Sequence, residues 1–209
     1  SDRLSSMTLF HGSSQQHSVD DNGDGFLDMP LFTTFNMLQR WNFTNLNGIT
    51  GQLSVQYVND KKDGGPLAQS SPTSYLYEMK SDLLRVNGKT GFIFSNDHSQ
   101  SIGMQWSLSR YRNSSLFGLR KYDGDEQSGY INVLYQSSLA GTVHKFRTGM
   151  SFLFDEYDET FNLIPYQRVE RVPGIFFEYT FNPSEQLSVV AGIRADEHNA
   201  YGTMVTPRL

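Results

Sequence analysis

Apolar and polar side chains alternate along most of this 209-residue chain, in segments of a dozen residues or so. The clearest segment covers residues 101–111. There, one face carries Ile102, Met104, Trp106 and Leu108, and the other carries Gly103, Gln105, Ser107 and Ser109. A period of two predicts a β-strand with one apolar and one polar face. Residues 146–155 repeat the pattern with Arg, Ser and Asp on the polar face, which a buried soluble core would not accept.

The pattern predicts about eight strands. They cover residues 31–43, 50–60, 79–95, 101–119, 129–139, 144–156, 169–181 and 187–197. All exceed the usual globular length of about 5–6 residues and reach the about 9–11 residues that a tilted strand needs to cross a bilayer. The predicted fold is therefore all-β, an antiparallel transmembrane β-barrel formed by residues 31–209, preceded by an extracellular loop segment at residues 1–30.

The connections between the predicted strands differ at the two ends of the sheet. Turn-forming residues predict tight turns at 45–48, 97–100, 140–142 and 182–185. Polar residues predict long connections at 61–75, 121–127, 155–168 and 196–203. Short turns at one end and long loops at the other are typical of outer-membrane barrels.

Aromatic residues near the predicted strand ends suggest the two interfacial girdles of a membrane barrel. They are Trp41, Phe43, Tyr57, Tyr111, Phe117, Tyr130, Tyr157 and Tyr179. A soluble β-sandwich or jelly roll also alternates and also uses core aromatics, and is the alternative fold.

Composition narrows the function classes. The formal net charge of −5 removes the electrostatic basis for binding nucleic acid. The absence of cysteine rules out disulfides and thiolate metal sites. A mean hydropathy of −0.47 does not exclude a membrane barrel, because such a barrel shows lipid only every second residue. No apolar run reaches the about 18 residues of a membrane helix.

Residues 20–28, DDNGDGFLD, resemble the first nine positions of a calcium loop. Oxygen-bearing side chains stand at positions 1, 3, 5 and 9, a glycine at position 6 and a usable carbonyl at position 7. The predicted ligands of a structural Ca²⁺ are Asp20, Asn22, Asp24, Phe26 and Asp28. Position 12 is Leu31 instead of the bidentate Glu, so a solvated acidic turn is the alternative.

No catalytic arrangement is recognisable, and we predict that the chain is not an enzyme. The five histidines form no cluster, and no nucleophile-elbow, Walker or dinucleotide-binding motif occurs. The acidic group Asp155, Glu156, Asp158 and Glu159 is expected to be a solvated face where a strand leaves the sheet.

Several motifs resemble the barrel of TonB-dependent outer-membrane receptors, of the type found in Bacteroidetes. The first is DDNGDGFLDMPLFTTFNMLQRW (residues 20–41) followed by GITGQLSVQYVNDKKDGG (residues 48–65). Later motifs are VPGIFFEY (172–179), AGIRAD (191–196) and TPRL (206–209). The resemblance covers most of the chain in order.

The resemblance implies a 22-stranded barrel with a plug in its lumen, of which this chain would form the mid-barrel portion. It further implies import of a scarce, bulky nutrient, such as a cobalamin, an iron chelate or a glycan, across the outer membrane. The implied partners are outer-membrane lipid, the TonB complex acting through a plug outside this chain, a surface lipoprotein and the small nutrient itself. We expect the sequence to be an interior part of a longer chain.

The alternative function belongs to a different class: a self-contained eight-stranded barrel or soluble β-protein used for binding or adhesion. The small polar residues at 103, 105, 107 and 109 favour a wide lumen over a packed one. For ligand contacts, the predicted loops at 61–75, 122–127 and 161–168, with Tyr75 and Tyr77, are the candidates.

Overall fold

The computed structural model describes residues 3–44, 48–67, 75–94, 100–139, 143–184 and 186–209. They form ten β-strands: β1 (Leu4–Gln15), β2 (Leu31–Thr44), β3 (Ile49–Gly64), β4 (Tyr77–Ile93), β5 (Ser101–Phe117), β6 (Arg120–Leu139), β7 (His144–Phe161), β8 (Ile164–Ser184), β9 (Leu187–His198) and β10 (Gly202–Arg208). The predicted all-β antiparallel fold is confirmed. None of the described residues forms a helix that could span a membrane.

The ten strands form one sheet in which each strand pairs with its neighbours in sequence. Every pairing among the described residues is antiparallel, and the one shift in register that they show lies between Phe181 and Ser184 at the end of β8. Within the described residues, β1 does not pair with β10. The sheet therefore has two open edges and does not close into a small barrel.

One face of the sheet carries a continuous apolar band. Paired residues share a face. Met104 of β5 is paired with Val133 of β6, which is paired with Met150 of β7, and Met150 is paired with Ile175 of β8, so all four lie on the same face. In the central strands the band runs over 102–108 of β5, 129–135 of β6, 146–154 of β7 and 173–181 of β8. Charged residues such as Arg110, Asp125 and Glu156 follow it toward the β5–β6 and β7–β8 turns. We call this face the outer face.

No hydrophobic residue among those described is buried. Large apolar side chains of the band are instead half exposed or more, including Met150, Ile175 and Ile193. Folding in water is driven mainly by burial of apolar surface, and contiguous exposed apolar areas are rare on soluble monomers. A soluble sandwich or jelly roll is therefore excluded as a description of this sheet.

The strand prediction needs two corrections. There are ten strands instead of about eight, because β1 lies in the segment 1–30 that was predicted as loop and β10 in the last seven or so residues. The predicted long connections at 121–127 and 155–168 are largely strand: they extend β6, β7 and β8 beyond the apolar band. Their polar composition reflects strands that continue beyond the apolar band while keeping their backbone hydrogen bonds.

The turns at this extended end are short. Gly118 and Leu119 join β5 to β6, and Asn162 and Leu163 join β7 to β8. Asn162 and Leu163 have φ values of 48° and 71°, as in the I′ turns that match the twist of a hairpin. Of the predicted tight turns at the opposite end, residues 45–47, 97–99, 140–142 and 185 lie outside the described residues; residues 182–184 belong to β8.

The predicted aromatic girdles are only half correct. Trp41, Phe43, Tyr57 and Tyr179 lie on the outer face, where a girdle requires them. The other four, Tyr111, Phe117, Tyr130 and Tyr157, lie on the opposite face. Position near a strand end does not settle the face, because the face depends on the parity of each residue within the register.

Candidate functional site

The second face of the sheet, which we call the inner face, is polar. Gly103, Gln105, Ser107 and Ser109 lie on it, as the alternation predicts. Six of the buried polar or charged residues also lie there: Ser54, Ser81, Ser115, Ser151, Asp155 and His198. Crowding of inner side chains beside an exposed outer face fits a sheet that curves around this polar surface.

The part of the inner face level with the apolar band contains a groove of about 360 Å³. Its lining is polar and basic, with Arg40, Gln52, Ser54, Asn87, Lys89, Gln105, Ser107 and Tyr130. On this face, Arg40 Nε and Asn132 Oδ1 are buried without a hydrogen-bond partner. Unpaired buried polar atoms are costly, and a polar group or water in contact with this face would satisfy them.

An ion pair stands near the middle of β9. The Arg194 guanidinium donates to both carboxylate oxygens of Asp196 over 2.7 and 2.6 Å, and Arg194 Nη2 donates to Ser151 Oγ over 2.9 Å. The sequence carries a signal for this pair, because residues two apart on a strand share a face. Both residues lie within the motif AGIRAD.

Beyond the apolar band, four carboxylates lie on the inner face: Glu126 of β6, Asp155 and Glu159 of β7, and Glu170 of β8. We call them the acidic cluster. Burial, followed by the charges of Asp155 and Glu159, raises the pKa of Glu126. The expectation of a single solvated face is wrong here, because alternation sends Glu156 and Asp158 outward and Asp155 inward, where Asp155 is 8% exposed.

Two side chains bridge Glu170 to its surroundings. Arg168 Nε lies 2.8 Å from Glu170 Oε1, and the Arg168 guanidinium stands 4.3 Å from the centre of the Tyr157 ring. His198 Nε2 lies 3.5 Å from Glu170 Oε2. Nearer the turn, Tyr122 donates to Glu159 Oε1 over 2.7 Å, and burial together with this bond raises the pKa of Tyr122 to about 12.

The outer face beyond the band carries a second set of polar contacts. Arg110 donates to both oxygens of Asp125, with Nη2 2.6 Å from Oδ2, and this contact lowers the pKa of Asp125. Lys121 and the Ser114 hydroxyl likewise lower the pKa of Asp123. These pairs tie β5 to β6 where the strands rise above the apolar band.

Two of the three predicted ligand loops are mainly strand in the structure. Residues 122–127 belong to β6, and residues 161–168 are the end of β7, a two-residue turn and the start of β8. Of the two tyrosines, Tyr75 packs beside Gly118, and the ring of Tyr77 lies 5.5 Å from that of Phe117. Residues 68–74 of the predicted loop 61–75 lie outside the described residues.

The predicted calcium loop is folded by hydrogen bonds within itself. Asp20 accepts bonds from the backbone N–H groups of Gly23, Asp24 and Gly25 over 2.8, 3.2 and 3.0 Å. Gly23 and Gly25 supply the positive φ angles of the bend, 72° and 81°. Asp28 accepts from the Asp21 N–H, and Asp24 from the Phe26 N–H.

The side chains of this loop do not converge as metal ligands. Over the part of the chain that the structure describes, no three His, Cys, Asp or Glu side chains are placed to hold a metal ion. Calcium binding by Asp20, Asn22, Asp24, Phe26 and Asp28 therefore needs a rearrangement of the loop, and it stays a prediction.

Comparison with known proteins gives a match in structure alone. No family model and no curated protein sequence matches the chain. The alcaligin outer-membrane receptor FauA from Bordetella pertussis superposes with a TM-score of 0.69 at 14% identity, over 99% of this chain and 32% of that one. P. aeruginosa FpvA, solved with heterologous pyoverdines, gives 0.71 at 12% identity, over 98% and 34%. The copper transporter OprC gives 0.58 at 12% identity, over 99% and 37%.

The chain thus spans about a third of the length of these solved structures. They are receptors and a transporter, in line with the prediction that the chain is not an enzyme. They do not bear on the Bacteroidetes type. The open edges, the apolar outer face and this superposition give the chain the fold of the barrel wall of outer-membrane receptors, and the resemblance to TonB-dependent receptors is confirmed at the level of the fold.

Proposed function

We propose that the chain forms part of the wall of a TonB-dependent receptor in the outer membrane, which imports a scarce nutrient. One observation carries the proposal: a single open sheet has an apolar band on one face, a polar face behind it and no buried apolar core among the described residues. Such a sheet is stable where lipid covers the band and where further strands continue both edges.

The proposed arrangement assigns a partner to each surface. Outer-membrane lipid contacts the band, and a plug contacts the groove around Arg40, where polar atoms lack partners. Strands that extend beyond the band surround the ligand path on the outside of the cell. The TonB complex would act through the plug, and a surface lipoprotein would approach the rim formed by the extended strands.

For the nutrient, we propose chemical classes and not a single compound. The similar solved structures are an alcaligin receptor, FpvA bound to pyoverdine–iron and a copper transporter, so a metal or metal chelate is the first class to test. Cobalamin and glycans stay in the test as the other classes that the sequence resemblance implies.

A deletion strain tests this function. Growth of the deletion strain is compared with that of its parent and of the complemented deletion strain when iron chelate, copper, cobalamin or glycan is limiting. We expect a defect on one nutrient, and we expect a protonophore to abolish uptake of that nutrient by the parent. Equal growth on all four, or uptake that persists with the protonophore, would count against energised import.

The alternative, a self-contained small barrel or soluble binding protein, has lost its main support. A closed barrel requires β1 to pair with β10, and a soluble protein requires a buried apolar core. Neither is found in the described residues.

A further inference from the structure

Two hollows on the inner face share one wall. The groove of about 360 Å³ described above lies beside a second one of about 570 Å³, and both are lined by Arg40, Gln52, Lys89 and Gln105. None of the described residues that line either hollow is an Asp or a Glu. We call the two hollows together the basic groove. It carries one cation on β2 and one on β4, with no acid between them.

The two cations of the basic groove lack partners. Over the described part of the chain, neither Arg40 nor Lys89 takes part in an ion pair. Arg40 Nε is also buried without an acceptor. A donor that is withdrawn from water and left unpaired is costly. Arg40 therefore needs an acceptor, and a carboxylate is the acceptor that a guanidinium binds most strongly.

A second unpaired atom beside the basic groove needs a donor. Asn132 stands opposite Gln105 in the register of β5 and β6, and its buried Oδ1 has no hydrogen-bond partner. A free carboxylate cannot donate to this oxygen, whereas a polypeptide segment carries backbone N–H groups as well as acidic side chains. Gly91 and Gly103, which are paired across β4 and β5, line the groove and let another backbone approach closely. The groove therefore fits a polypeptide segment better than a free anion.

The position of the basic groove indicates where such a segment comes from. The groove is level with the apolar band but on the other side of the sheet, since Arg40 and Gln105 each precede an outer-face tryptophan. Lipid that covers the band does not reach it. The chain spans about a third of the length of the solved structures that it resembles, and large outer-membrane barrels fill their lumen with a plug.

We propose that the basic groove binds an acidic side chain, Asp or Glu, carried by a segment of the same polypeptide outside residues 1–209. This inference rests on the receptor function proposed above, in which a plug contacts this face. The carboxylate accepts hydrogen bonds from the Arg40 guanidinium and the Lys89 ammonium. A backbone N–H of the same segment donates to Asn132 Oδ1. The contact holds the segment against β2 and β4.

The test treats the purified full-length protein in detergent with a water-soluble carbodiimide. This reagent joins a lysine amine to a carboxylate in contact with it, forming an amide with loss of water. Mass spectrometry of the peptides is expected to find Lys89 joined to an Asp or Glu of the same polypeptide outside residues 1–209. The pairs Lys62–Asp60 and Lys121–Asp123, at 3.0 and 2.8 Å, are the internal references for coupling.

Two results of this mapping would overturn the proposal. In the first, Lys89 stays uncoupled while the reference pairs couple, as a groove filled only by water would give. In the second, Lys89 is joined to an acid within residues 1–209 or to a different polypeptide.

Variants at Arg40 test the geometry of the contact. Arg40→Gln is expected to lower the yield of Lys89 coupling at least about threefold, because the carboxylate loses a charge-assisted hydrogen bond. Arg40→Lys keeps the charge and should retain most of the yield. The matched control is Arg85→Gln, which removes a guanidinium from the inner face of β4 but from outside the groove lining. It should leave the yield unchanged.

A gel shift on heating verifies that each variant has folded as a barrel before its coupling is compared. Equal yields in the parent and in folded Arg40→Gln would overturn the proposal, as would an equal loss in Arg85→Gln.

The outcome is separable from that of the import function. Lys89 coupled as expected, together with a deletion strain that grows normally, would retain the carboxylate contact and reject import. A growth defect together with an uncoupled Lys89 would retain import and reject the contact.

Discussion

Leu163 lies at the tip of the β7–β8 hairpin with a φ of 71° and 92% of its surface exposed. A left-handed backbone costs an L-residue about 1–2 kcal/mol, and this side chain recovers little by packing. We therefore expect Leu163→Gly to stabilise the hairpin by about 1 kcal/mol, reduced by the greater freedom of glycine in the unfolded chain. Urea unfolding of the protein in lipid vesicles measures the gain.

Leu119 provides the matched control for this change. It occupies the tip of the β5–β6 hairpin and is 91% exposed, but its φ is not positive. Leu119→Gly should therefore give no gain and is expected to cost a few tenths to 1 kcal/mol in backbone entropy. A gain in both variants would show that strain at Leu163 is not the cause.

Calcium binding at residues 20–28 is a separate prediction at the same scale. Millimolar Ca²⁺, the weak range of extracellular sites, is expected to slow proteolysis of this loop, and chelation should restore the original rate. Asp20→Ala removes both the predicted ligand and three backbone contacts. A comparison with Mg²⁺ separates an effect specific to Ca²⁺ from a general effect of divalent cations. Equal proteolysis rates with and without Ca²⁺ would contradict the prediction of calcium binding.

The amino-acid sequence does not determine which individual side chains of a polar strand end point inward. The run of acids at 155–159 identifies a polar region, but one residue of register decides which of them is buried. Asp155 became part of the inner face because β7 continues to Phe161 without a bulge. The Arg194–Asp196 pair was within reach of the sequence, because its spacing alone places both residues on one face.

At the scale of the strands, the two tryptophans report on the outer face. Trp41 and Trp106 both lie on it, in β2 and β5, and the chain has no other tryptophan. Each one, studied alone in a Trp41→Phe or Trp106→Phe variant, should be quenched strongly by brominated phospholipids in a reconstituted bilayer. Water-soluble acrylamide should quench them weakly.

The inner face supplies the control. Gln105→Trp in a background without the other tryptophans moves the probe by one residue, to the polar side. Brominated lipid should leave this tryptophan unquenched. Equal quenching at 105 and 106 would mean that the two faces do not separate lipid from lumen.

The alternation predicted the central strands because one of their faces carries the apolar band and the other carries polar residues. It failed where both sides are polar. Residues 120–127 and 155–161 lose the period of two once they rise above the apolar band, so their strands resemble loops in the sequence. β1 was missed for the same reason, since Ser, Thr and Gly dilute its pattern.

For the whole molecule, the open edges make a prediction about closure. The chain contains no cysteine, so introduced pairs report alone. Cysteines at Ala195 and Val205, which are paired in β9 and β10, should cross-link under oxidation. Cysteines at Val205 and at any of Thr8, Phe10 or Gly12 of β1 should not cross-link within one chain. A fast intramolecular cross-link from β1 to β10, seen as a gel shift, would restore the small closed barrel.

Asparagines in two of the hairpin turns bond to the backbone of the neighbouring strand. Asn162 N–H donates to Lys121 O, and its side chain accepts from Lys121 N–H, each over 2.9 Å. Asn199 makes the corresponding bonds to Arg171. These bonds continue the β6–β7 and β8–β9 pairing up to the turns. If the chain lines the import path proposed above, this part of the opening would keep its shape, and a lid over a bound ligand would have to come from other segments.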